Sequence, residues 1–170
     1  MLAIINASPL IYLGKIGALY LLPKLFTSIY TSSTVKEEVL KQEHAPEYAS
    51  LTEAFDSWLQ IRKPINEPLT QKLLLLQIHT GEAEVLSLAY ELSLEKKSSI
   101  VIIDDLVARD IAKSLGLVVT GTIGILLKAY EQHITSNDNC RILLDRLLTE
   151  TSFRISARIY AAILKRLENR

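Results

Sequence analysis

Glu38, Glu82 and the pair Asp104-Asp105 are the side chains best suited to chemistry, provided the fold brings them together. Carboxylates that converge on one crevice repel one another and raise some of their pKa values. A divalent cation relieves that conflict. Oxygen-only ligands favour Mg²⁺ or Mn²⁺ over zinc. Such an ion can activate water and offset charge on a phosphodiester during in-line attack. Asn6 joins the candidates, because an amide oxygen can ligate a hard cation or hold its water.

Each of these residues also has a plainer use. Asp104-Asp105 precedes a helical pattern containing Ala108, Ile111, Ala112 and Leu115. One Asp can cap that helix while the other ligates, and Asp105 can also pair with Arg109 one turn on. Glu82 extends the stripe of Val85, Leu86 and Ala89 at i+3, i+4 and i+7, which places its carboxylate toward the interior. An unpaired charge there is costly, although acids also favour a helix N-terminus for its dipole. Glu84 lies about 200° around the same helix, at ~100° per residue, on a wetter face with Glu91 and Glu95. Thr34-x-x-Glu37 reads as a capping box that uses Glu37. That leaves Glu38, beside Val35 and Val39, as the residue nearer a site; its alternative is a solvated charge run with Lys36 and Lys41. Asn6 has a bland role as a turn residue. Ser8 reads as an N-cap before Pro9 and is close enough to assist a site. Thr120 and Thr122 can cap a helix or contact a water or phosphate oxygen.

These residues need elements to position them. Leu2–Ile5, Ile100–Ile103 and Leu117–Thr120 are short apolar runs that read as buried strands, and Ile29–Thr31 is a weaker fourth. Helical pattern fills the gaps: a helix opened by Ser8-Pro9, Tyr20–Phe26, Thr34–Gln42, about Glu47–Leu59, Leu69–His79, Gly81–Leu94, Leu106–Leu115, Thr122–Gln132, Arg141–Leu148 and Ser156–Leu167. Strands separated by helices predict a parallel sheet covered on both faces. Sites in such sheets form beyond the carboxyl ends of the strands, which is where Asn6 and Asp104-Asp105 fall.

Composition narrows the class. The 170 residues fit one domain, with the helices from about residue 138 packing on it or extending it. A hydrophobic fraction of 49% supports a sizeable core. Lys plus Arg and Asp plus Glu both total 19, so any affinity for nucleic acid must come from local patches. One such patch is the C-terminal set Arg154, Arg158, Lys165, Arg166 and Arg170, which also reads as a solvated helix face. The single Cys140 excludes an internal disulfide and a Cys-rich zinc site, and it suits a reducing cytosol. His44, His79 and His133 lack metal-type spacing and read as surface or helix-end residues. With no signal peptide pattern and no apolar run of ~20 residues, a cytoplasmic protein without a membrane span is expected.

In order and spacing, several segments together resemble the PIN-domain family, in its DUF3368 branch. They are Ile5-Asn6-Ala7-Ser8-Pro9-Leu10-Ile11, Lys15-Ile16-Gly17, Val35-x-x-Glu38-Val39, Gly81-Glu82-Ala83-Glu84, Ile103-Asp104-Asp105-x-x-Ala108-Arg109 and Gly121-Thr122-x-Gly124. Phe153-Arg154-Ile155-Ser156 and Tyr160 extend the match, which runs from about residue 2 to 166. The resemblance implies a three-layer α/β/α sandwich with a central parallel sheet. It also implies Mg²⁺- or Mn²⁺-dependent cleavage of single-stranded RNA, often by the toxin of a toxin–antitoxin pair held by a small protein partner. A homodimer is a further expectation, helped by the exposed-looking Leu73–Leu76. Glu38, Glu82 and Asp105 fall at acidic positions of the PIN site, with Asp104 adjacent. The first acidic position is Asn6 here. That departure keeps a second reading open, a non-catalytic PIN-like module that binds nucleic acid or protein. An unrelated nucleotide-binding domain is disfavoured, because no G-x-G-x-x-G or G-x-x-x-x-G-K follows the first strand.

Overall fold

The computed structural model describes residues 1–95 and 97–168. Five parallel strands form one sheet in the order β3-β2-β1-β4-β5. They are β1 (Leu2–Ile5), β2 (Ser28–Thr31), β3 (Leu59–Ile61), β4 (Ser99–Ile102) and β5 (Val119–Thr120). The central strand β1 pairs Leu2 with Ser28 on one side and with Ser99 on the other. Its last three residues are buried, as required of a strand covered on both faces. Chain order runs outward to β2 and β3 on one side and to β4 and β5 on the other. The topological switch therefore lies between β1 and β4, where sheets of this type leave a crevice.

Ten helices among the described residues cover the sheet and complete a three-layer α/β/α sandwich. On one side α1 (Ala7–Lys15) packs with α3 (Ser33–Val39), α4 (Tyr48–Ser57), α8 (Thr122–Glu131) and α9 (Asn137–Thr149). On the other, α6 (Thr80–Leu94) lies against β1 and β4, flanked by α5 (Glu67–Leu74) and α7 (Leu106–Ser114). The short α2 (Leu22–Leu25) follows a 3-10 turn at Leu19–Leu21, and α10 (Ala157–Glu168) closes the described chain. One cluster of buried apolar side chains runs from Ala3 through Leu86 and Leu92 to Leu147, Ile163 and Leu167. Each such Leu or Ile contributes roughly 1.5–3 kcal/mol when fully buried. Cys140 belongs to this cluster; burial pushes its thiol up to about 11, so it packs as a neutral side chain. No helix among the described residues is long and apolar enough to cross a membrane.

Several local expectations change. The strand β3 was not legible in the sequence, since Leu59–Ile61 buries only Leu59 and lies at the sheet edge. The α1 cap position is Asn6 rather than Ser8, and Pro9 sits inside the first turn. The reason is that β1 ends at Ile5 and Asn6 N–H still bonds to Ile102 O at 3.0 Å, so the helix starts at once. The capping box at Thr34 and Glu37 does not form. Ser32 caps α3 instead, its Oγ accepting from Val35 N–H at 3.2 Å, and Glu37 is exposed. The face of α6 carrying Glu84 is wetter than that of Glu82, with Glu95 exposed, but Glu84 and Glu91 are half-buried, and Glu91 Oε1 accepts from Ile65 and Asn66 N–H. Of the leucine run, Leu73 is buried and Leu75 and Leu76 are exposed.

Candidate functional site

An open crevice of about 990 Å³ lies at the switch between β1 and β4. Asn6, Glu38, Glu82, Asp104 and Asp105 all line it, with Ser8, Thr120 and His79. Three separate elements deliver the acids. Asn6 leaves β1 directly. Glu38 projects from the last turn of α3, and Glu82 from the first turn of α6. Asp104 and Asp105 form the link from β4 to α7.

Asn6 is only 4% exposed, and its Oδ1 is buried without a hydrogen-bond partner. A buried, unpaired amide oxygen is unfavourable. Glu47 and Glu84 also bury an unpaired oxygen, but neither lines the crevice. Gly81 of α6 lies beside Asn6 and Glu38: a Cβ there would press on Val35 Cγ2 at 3.2 Å and would meet Glu38 Oε2 at 3.6 Å and Asn6 Oδ1 at 3.7 Å in ordinary contact.

Glu82 is 8% exposed and accepts a 3.0 Å hydrogen bond from His79 N–H. Burial raises its pKa above the ordinary glutamate range, and the charges of Asp105 and Glu38 push the same way, against the pull of His79. Glu82 therefore senses two other acids of the crevice. Asp105 is exposed and caps α7, its Oδ1 accepting from Ala108 N–H at 2.8 Å. Glu38 is exposed and also lines the crevice.

Asp104 is occupied differently. Its Oδ1 accepts from Thr122 N–H at 2.8 Å and its Oδ2 from Thr122 Oγ1–H at 2.6 Å. Burial raises its pKa; the two Thr122 bonds and the Arg109 charge oppose the rise. Thr122 is thus fully buried with both donors spent, and it cannot contact water or phosphate as expected. The expected Asp105–Arg109 pair is also replaced. Arg109 reaches back past Gly121, donates from Nη1 to Ile103 O at 3.1 Å and offsets Asp104, because Asp105 has turned to its own helix.

Among the described residues, no group of three or more His, Cys, Asp or Glu side chains is close enough to hold one metal ion. The donor set nevertheless fits a hard cation in the chemistry it offers. It is all oxygen, and it combines an orphaned amide oxygen with carboxylates lining the same crevice.

Several crevice residues were not predicted for the site. His79, Tyr12, Ile159 and Ile163 line it, as do Arg109 and Phe153–Ser156, which the sequence marked as parts of a family resemblance. Only tertiary packing brings them there: the Tyr12 and Phe153 rings meet edge to face at 5.0 Å. Of the basic C-terminal set, Arg154 lines the crevice, Arg166 pairs with Glu131, Arg158 and Lys165 are exposed, and Arg170 lies outside the described residues.

The family model DUF3368, a PIN domain, matches residues 2–169. No curated protein matches the chain.

Proposed function

Because the chain belongs to the DUF3368 family of PIN domains, we propose that its crevice is the active site of an endoribonuclease that cleaves single-stranded RNA with Mg²⁺ or Mn²⁺. The observation that carries this reading is the unpaired Asn6 Oδ1, buried in the crevice that Glu38, Glu82 and Asp105 share. In this reading Asn6, Glu38, Glu82 and Asp105 hold the ion. When bound, it supplies Lewis-acid activation of water and charge neutralisation at the phosphodiester. Glu82, held by His79 N–H, fixes the buried side of the site. Asp104 acts as a positioning residue: it ties the start of α8 to β4 through Thr122. Ser8 and Thr120 line the crevice within reach of substrate or water.

A toxin acting on cellular RNA, in the cytoplasm and restrained by a small antitoxin, is the form of this activity we favour. A homodimer is part of the same proposal. The apolar groove between α5 and α7, lined by Leu69, Leu73, Leu76, Val107 and Ile111, is a surface that either partner could cover.

Asn6 also favours a second reading, a binding module that does not cut, because an amide brings no negative charge to the ion. Incubation of single-stranded RNA with the protein separates the two. The nuclease reading expects Mn²⁺-dependent cleavage that chelator stops and that Glu82→Gln and Asp105→Asn each reduce by about 10–100-fold or more, the loss typical even of outer partners of a metal. Cleavage that persists in chelator and in both variants would contradict it. RNA binding without cleavage in the native protein would establish the second reading.

A further inference from the structure

The crevice is larger and less uniform than an ion and a phosphodiester require. Its volume of about 990 Å³ lies at the top of the roughly 300–1,000 Å³ range of small-ligand sites. It is lined by the oxygens of Asn6, Glu38, Glu82 and Asp105 and also by the apolar side chains of Leu106, Ile123, Phe153, Ile155 and Ile159. Ile159, Ile163 and Leu167 form one i, i+4, i+8 stripe on α10. Ile163 and Leu167 are buried, but Ile159 stays 50% exposed over the crevice. Leu106, next to Asp105, is 75% exposed. Arg109 and Arg154 also line the crevice, and Arg154 is held by Nη1 bonds to Thr151 O and Phe153 O at 2.9 and 2.7 Å.

We propose that the apolar lining built by Leu106 and the C-terminal segment Phe153–Ile159 binds an unpaired nucleobase of the strand whose phosphate meets the crevice carboxylates. This rests on the nuclease reading and extends it to a base subsite supplied by the end of the chain. The mixed lining matches the two chemistries of a nucleotide, an anionic phosphodiester needing a cation and a flat apolar base. The exposed Arg154 guanidinium complements a flanking phosphate, whereas a wholly apolar partner would strip its water and offer no charge in return. A duplex hides its base faces in the stack, so the occupant is single-stranded.

The test uses a fluorescein-labelled hexauridylate and an oligonucleotide of the same backbone lacking its central bases. Anisotropy is read in Ca²⁺, with gels to confirm intact strands. Leu106→Ser and Ile159→Ser alter exposed side chains, so the fold is expected to survive, and circular dichroism checks this. Each substitution is expected to weaken hexauridylate binding about tenfold, in line with single base contacts, and to leave the abasic strand unchanged. The native protein is expected to prefer hexauridylate over the abasic strand. Equal affinity for the two strands, or failure of either to bind because the wall belongs to a protein partner, overturns the proposal. Calorimetry with Mn²⁺ keeps the two readings separate. Mn²⁺ binding with base-independent affinity removes the subsite alone; base-dependent affinity without Mn²⁺ binding removes the metal site alone.

Discussion

Gly121 sits at a tight point of the crevice wall. A Cβ on it would stand 2.6 Å from Asp104 Oδ1 and 2.7 Å from Arg109 Nη1. Its φ of −129° is open to any residue, so the demand for glycine is one of space. Gly121→Ala must therefore push Asp104 off Thr122 or displace Arg109 from Ile103 O. We expect it to cost about 1–3 kcal/mol, as overpacking of a filled interior does, measured by chemical denaturation. A loss below a few tenths of a kcal/mol would mean that the clasp is looser than described. The roles of the acids at this scale were only partly legible. The helical stripe placed Glu82 inward correctly, and both Asp residues were expected to divide capping from another task. Which Asp does which depends on Thr122, eighteen residues further along, and local pattern carries no such information.

Elements rather than single residues decide where Glu38 points. The sequence pattern placed the cap of α3 at Thr34, through Thr34-x-x-Glu37. The structure uses Ser32, because β2 ends at Thr31, whose buried Oγ1 donates to Ile5 O at 2.7 Å. With the strand fixed there, Ser32 alone occupies the cap position, and Glu38 falls on the turn that faces α6. Ser32→Ala is expected to lower stability by about 1 kcal/mol, and Thr34→Ala by much less, in thermal or denaturant unfolding. The reverse order would restore the capping box. Strands β1 and β4 were legible because they are short and apolar; Ile29–Thr31 was the weaker signal for β2, and the expected buried run Leu117–Thr120 keeps only Val119–Thr120 as a half-buried strand, β5. Edge strand β3 was not legible, since its outer residues Gln60 and Ile61 are exposed and break the pattern.

At the scale of the whole molecule, strand order does what no motif does. By placing β1 beside β4, it puts Asn6 next to Asp104-Asp105 and lets α6 bring Glu82 between them. The fold thereby stores unfavourable electrostatics at one edge. Glu82 and Asp104 both have folded-state pKa values above their ordinary ones. The folded protein thus binds more protons than the unfolded chain between those values. Their stabilising contribution is complete below the ordinary carboxylate range and is lost as pH rises through the raised values. Without divalent ions, Glu82→Gln should accordingly match the native protein in melting temperature at acid pH and exceed it near neutrality. A native protein that gains on the variant with rising pH would contradict the assigned direction.

The central claim is that Asn6, Glu38, Glu82 and Asp105 make one divalent-ion site. Calorimetric titration with Mn²⁺ at neutral pH tests it most directly. The account predicts a single site in the native protein, lost or weakened at least about tenfold in Glu82→Gln and tightened on the order of tenfold in Asn6→Asp, where ligand charge rises. Absence of binding in the native protein and in Asn6→Asp alike, or binding indifferent to both substitutions, would contradict it.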